Sequence, residues 1–220
     1  VSALSPSPGE SLELYGAPTG NCRRAAIALS EAGLAYAVRT VGLAGGEHRG
    51  EAFLALNPAG KVPVLVAGTA RGAAARVLTQ SNAIVFFAAD RAPGRLLPAE
   101  GDGTRVRVLE AFFHFVTDVI GVNGAAFTLQ RLGLPDAAAV LTERYLAAIA
   151  GSERFLGESG FMGGDACSIA DIAGFTIVSA VADRLEWDRL PRLSAWRERI
   201  GRRPAVQAGM AAFDMLAATP

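Results

Sequence analysis

The 220-residue sequence is poor in the side chains that most reactive sites are built from: it holds two cysteines, two histidines and one lysine. Cys22 and Cys167 are too few and too far apart for a disulfide framework, so a reducing, cytoplasmic compartment fits best. His48 and His114 lie far in sequence from both cysteines and supply no metal-ligand spacing; "AGGEHRG" lacks the Lys-Ser/Thr of a phosphate loop. No metal is expected. Charge of one sign is missing as well, because 21 basic residues balance 21 acidic ones. Nothing resembles the basic surface that draws nucleic acid or an anionic membrane, and neither partner is expected. No unbroken apolar run of about 18 residues suggests a transmembrane helix. The opening "VSALSPSPGES" lacks the basic start and long apolar stretch of a signal peptide and reads as a loose leader over 1–11. Internal repeats and heptad seams are absent too.

What the chain does have is apolar bulk, 51% of its residues, enough for one large core or two modest ones. "LELYG" (12–16) reads as a strand. Arg23 to Ala32 reads as a helix, with Ala25, Ala28, Leu29 and Ala32 at i, i+3, i+4 and i+7, stopped by Gly33. "AYAVRTVGL" alternates as a second strand, making a right-handed β-α-β unit with parallel strands. A short helix, Glu51 to Leu56, precedes the strand in "NPAGKVPVLV", where Pro63 belongs at the start or on an edge. The loop "AGTARGAAA" (67–75) leads to a strand "RVLTQ" and then a helix, "SNAIVFFAAD", capped by Ser81. After the linker "RAPGRLLPAEGDG" only helices follow, near 104–122, 136–156, 169–184, 191–200 and 204–216. The expected organisation is an α/β domain over 1–91, a linker over 92–103 and an all-helical domain over 104–220.

Three segments of the first half carry ligand-binding chemistry. A helix starting near Asn21 points free N–H groups and a partial positive charge at whatever precedes it, and a thiolate is stabilised there. Thr19, Asn21 and Cys22 offer a hydroxyl, an amide and a thiol within one turn of that pole. Val62-Pro63 is a candidate cis bond that aims the Val62 N–H and C=O sideways, where an extended peptide docks as an added strand. Gln80-Ser81, a strand end beside a helix start, gives a carboxylate a hydroxyl, an amide and backbone donors.

A peptide backbone, a carboxylate and a thiol together describe glutathione, and here the sequence resembles the cytosolic glutathione transferases. The resemblance spans nearly the whole chain: the β-α-β opening, "NPAGKVPVL", "LTQSNAI", "SIADIAGF" and "LPRLSAWRERIGRRPAVQ", in that order. It implies a thioredoxin-like domain with a mixed four-stranded sheet, an all-helical second domain and a homodimer. Glutathione is the implied co-substrate, conjugated as thiolate to a small hydrophobic electrophile in a detoxifying enzyme.

By motif, Val62, with Lys61 and Pro63 beside it, would hold the cysteinyl backbone. Gln80 and Ser81 would hold the γ-glutamyl end. The Thr19-x-Asn21 turn resembles a bacterial nu-like group, and Asn21 falls where beta-class enzymes have a cysteine. Thr19 and Asn21 are therefore the expected donors to the glutathione sulfur, with Cys22 next. Each also has a plain structural reading, as turn, cap and small buried residue respectively. His114 resembles a histidine that beta-like relatives bring toward the sulfur, and with Phe112 and Phe115 it forms a candidate acceptor pocket; aromatics at helical spacing also serve as plain core. Ser168 to Asp171 matches the family's buried capping box and reads as one physically, with Cys167 stapling onto Ile172. Two other activities share this frame, glutathione-dependent reduction of disulfides or peroxides and a non-catalytic adaptor role.

Overall fold

The computed structural model describes residues 10–69 and 75–214. Residues 1–9 of the expected leader lie outside that range, and its last two, Glu10 and Ser11, open the first strand. Strands β1 (Glu10–Gly16) and β2 (Ala37–Thr40) are parallel and joined through helix α1 (Gly20–Glu31). β2 is shorter than its alternation suggests, because β1 supplies partners only as far as Gly16, opposite Thr40. After α2 (Glu51–Leu56) come the antiparallel pair β3 (Val64–Thr69) and β4 (Arg76–Leu78), then α3 (Ser81–Arg91). Residues 67–69 of the expected loop thus belong to β3, and 70–74 lie outside the described residues.

The sheet order is β2-β1-β3-β4, four strands of mixed direction. Alternation on β1 sets its two faces: Leu12 and Leu14 are buried on one, while Tyr15 packs on the other with Val41, Phe53 and Val64. Register does the positioning. Tyr15 at the end of β1 pairs with Val64 at the start of β3, and Leu65 pairs with Leu78 at the end of β4. The exit of β1, the entry of β3 and the exit of β4 therefore share one end of the sheet.

The chain forms two compact units, but not with the expected boundary. One runs to Leu96 and takes back the chain from Arg203 onward; the other is Leu97–Arg202. Helix α9 (Pro204–Ala211) belongs to the first because it lies on α1. A Cβ at Gly209 would meet the Ile27 backbone nitrogen at 2.5 Å, so only glycine permits this approach. Arg203 grips the buried Glu31 carboxylate with two bonds of 2.6 and 2.8 Å, and Phe213 is fully buried against Gly16.

The second unit is helical: α4 (Gly103–Phe113), a π-helical stretch His114–Gly121, α5 (Val122–Arg131), α6 (Pro135–Gly151), α7 (Ile169–Ala180) and α8 (Pro191–Gly201). The first helix was expected to stop near 122, but the π-helical turns carry it on without a break to Arg131. At 29 residues it is long and apolar enough, by length and composition alone, to cross a membrane. Gly174 of α7 explains part of its packing, since a Cβ there would meet the Phe115 ring at 2.7 Å.

α7 starts with the expected capping box. The Ser168 hydroxyl accepts from Ala170 N–H at 3.2 Å, and the Asp171 carboxylate accepts from Ser168 N–H at 2.9 Å. Asp171 takes further bonds from the Ser168 hydroxyl (3.0 Å), Met162 N–H (2.9 Å) and Trp196 Nε1–H (2.7 Å), and is fully buried. Burial pushes its carboxyl up to about 6, against the pull of those four donors.

Candidate functional site

At the shared end of the sheet the chain turns three times. The first turn leaves β1 at Gly16 and enters α1 with Thr19 as N-cap, its hydroxyl oxygen accepting from Cys22 N–H at 3.3 Å. The same hydroxyl also lies against the Cys22 sulfur. Asn21 is exposed on the first turn, where the Gly20 and Asn21 N–H groups precede the first intrahelical acceptor.

Cys22 is different. Its side chain is fully buried, its sulfur accepts from Ala17 N–H at 3.4 Å, and burial pushes the thiol up despite the Thr19 hydroxyl. A Cβ at Gly16 would sit 2.9 Å from that sulfur. The residue is buried, away from the exposed face of the turn, in keeping with the plain structural reading of Cys22.

The second turn enters β3. The Val62-Pro63 bond is cis, Pro63 is buried, and Val62 is half-buried beside the cluster around Phe53. Lys61 is exposed, and what the turn uses is its carbonyl, which accepts from the Asn57 side chain at 2.6 Å. Asn57 also accepts from Ala59 N–H at 3.1 Å through its side chain and from Gly60 N–H at 2.9 Å through its carbonyl. This buried amide therefore fixes the approach to Val62.

The third turn leaves β4 and starts α3, with exposed Gln80 in the N-cap position and no side-chain cap bond. Ser81 was expected to be the cap; instead it is the first helical residue, and its hydroxyl is turned inward. There it accepts from Arg24 Nη1 at 3.2 Å. The same nitrogen donates to Asn21 Oδ1 at 2.8 Å.

Arg24 thus joins the first turn to the third, and nothing in the reading of the sequence marked it out. Its side chain is 2% exposed, and burial lowers it to about 10, so it keeps its charge at neutral pH. The signal was present: an arginine three residues after the asparagine of its own helix start, on a face it shares with Ile27 and Ala28.

The aromatic group does not form the expected acceptor pocket. Phe112 and Phe115 are 1% and 0% exposed, and His114 is buried between Phe115 and Phe155. Both imidazole nitrogens are engaged: Nε2–H donates to Ala148 carbonyl at 3.0 Å, and the Asp118 carboxylate lies 3.3 Å from Nδ1. The three residues fill the helical core.

Residues 20–91 match the model of the glutathione S-transferase N-terminal domain, and residues 135–211 that of the glutathione S-transferase C-terminal domain. The chain is 30% identical to glutathione S-transferase 3 of Zea mays over 220 aligned positions, 93% of this chain and 95% of that one. It is 31% identical to the disulfide-bond oxidoreductase YfcG of Escherichia coli over 202, covering 89% and 92%. In fold it matches the glutathione transferase URE2P8 of Phanerochaete chrysosporium, solved with oxidized glutathione, at a TM-score of 0.81, 22% identity and coverage of 96% and 98%. By both domain models and by a near full-length relative, the chain belongs to the glutathione S-transferase family.

Proposed function

We propose that this protein binds glutathione across the three turns and transfers its thiolate to a small hydrophobic electrophile. The observation that carries the reading is convergence: the first turn of α1, the Val62-Pro63 entry of β3 and the Gln80-Ser81 start of α3 lie at one end of one sheet. In this reading Val62 pairs its backbone with the cysteinyl residue, with Lys61 and Pro63 alongside. Ser81, Gln80 and the α3 pole receive the γ-glutamyl carboxylate. Thr19 and Asn21 donate to the sulfur and, with the α1 pole, favour its anion. The thiolate attacks the electrophilic carbon, the new C–S bond forms, and the leaving group departs with its electron pair.

Isothermal titration with glutathione tests this directly. Millimolar binding that weakens in Ser81→Ala is the expected result, and absence of heat at millimolar glutathione would remove the proposal. A second reading is favoured by the likeness to a disulfide-bond oxidoreductase and by the burial of Cys22. With no exposed thiol in the turn, the glutathione sulfur itself attacks a disulfide, and a second glutathione releases the product as oxidized glutathione. Turnover of hydroxyethyl disulfide separates it from conjugation, which predicts none. Pairing into a homodimer is proposed as well, supported by exposed Val106 and Phe113, two turns apart on one face of α4. Sedimentation at micromolar concentration tests it, a monomer being the contrary outcome.

A further inference from the structure

Arg24 is a buried cation with no carboxylate partner among the described residues. Among the described residues its partners are two neutral oxygens, Asn21 Oδ1 and Ser81 Oγ, and its Nε–H is buried with no acceptor. It also lies behind the starts of α1 and α3, whose poles are themselves positive. Left alone, that arrangement is unfavourable: a desolvated guanidinium normally sits against a carboxylate. Its two bonds nevertheless have a definite polarity. Because Asn21 Oδ1 accepts from Arg24, the amide is held with its NH2 turned away from the guanidinium. Because Ser81 Oγ accepts from the same nitrogen, the serine hydrogen is left to donate elsewhere.

We propose that Arg24 is the positioning residue of the site, turning Asn21 and Ser81 into outward-facing donors and supplying the positive charge that a bound anion neutralises. The inference rests on the glutathione reading above and deepens it. Thiolate and γ-glutamyl carboxylate are then held by two side chains that share one buried cation. The two ends of the ligand site are coupled through Arg24, without direct contact between Arg24 and the ligand.

The test uses the full chain, with Arg24→Met, Asn21→Ala and the double variant. The ultraviolet absorbance of bound glutathione thiolate is followed against pH, and affinity for S-methylglutathione is measured by titration. In Arg24→Met the apparent pKa of the bound thiol should rise by about one unit. Affinity for S-methylglutathione, which has no thiol to ionise, should fall about tenfold through Ser81. The unfolding midpoint should hold or rise, since an apolar side chain replaces an uncompensated charge. A merely structural arginine would move it the other way.

In the Asn21→Ala background the Arg24 change should leave the thiol pKa where Asn21→Ala put it. Equal shifts in both backgrounds would overturn the positioning route, and so would an unchanged thiol and affinity in Arg24→Met. If Arg24→Met does not fold, Arg24→Gln gives the same reading, its shorter side chain stopping short of both acceptors. Failure of the unaltered protein to bind glutathione would remove the glutathione reading and this inference together; binding that ignores Arg24 removes the inference alone.

Discussion

Among the described residues two helices begin with a hydroxyl cap, and they are built in opposite ways. At the start of α7 every polar group is answered: Ser168 caps, Asp171 reaches back, and Met162 and Trp196 complete the carboxylate's shell, all out of reach of solvent. At the start of α1 the cap is Thr19, the buried ion is a cation, and Asn21 is exposed beside it. A helix start that is closed and satisfied holds the fold. One that is open, with a buried cation lacking a carboxylate partner among the described residues, is where the proposed anion would be received, because burying an unpaired charge is unfavourable.

The contrast can be broken most forcefully at Asp171. Asp171→Ala strands four donors and should lower unfolding stability by about 3–5 kcal/mol. Urea titration measures this, and a loss under about 1 kcal/mol would show that the closed end is not the anchor described. A change of pH sharpens the same point. The folded carboxyl titrates near 6 against an ordinary 3.8, so its contribution is fully present below about 4 and is lost as pH rises through 6. Measured relative to Asp171→Asn, wild-type stability should therefore decline between pH 4 and 7. A rising difference would mean that the four donors outweigh burial.

Smaller effects separate the two caps. Ser168→Ala should cost about 2 kcal/mol, since it removes an acceptor for Ala170 and a buried donor to Asp171. Thr19→Ala should cost only about 1 kcal/mol in a half-exposed turn, yet slow glutathione turnover, which Ser168→Ala would leave intact in the folded fraction. Equal effects on turnover would erase the distinction. Least of all is expected at Cys22: the native thiol should resist alkylation at pH 8, and Cys22→Ala should leave the ionisation of bound glutathione unchanged. Rapid native labelling would place that sulfur back in the site.

How much of this was legible in the sequence follows the range of the forces involved. The Ser168–Asp171 box is local, three residues of spacing, and its bonds are those the spacing suggests. Gly33 and the apolar repeat of α1 were legible for the same reason. The three turns proposed to bind the ligand could be named one by one, but their meeting depends on strand register, which no single segment encodes. Arg24 was missed because its partner Ser81 is 57 residues away. The inward turn of Ser81 has the same cause: serine before an apolar run reads as a cap, and only a distant guanidinium draws the hydroxyl elsewhere. Phe112, His114 and Phe115 were read as lining because aromatic spacing cannot distinguish a wall from an interior. The assignment of α9 to the first unit was out of reach for a related reason, since it turns on a methyl that Gly209 lacks.

That last helix has a consequence for how the protein can be cut and recombined. A fragment ending at Leu96 would carry α1 with Ile27 and Gly16 stripped of their cover, an apolar flank open to solvent. The thioredoxin-like half is therefore completed only when residues 203–214 come back to it. Any chimera that swaps the second half between relatives also swaps a wall of the first, and must match the new tail to the groove over Ile27.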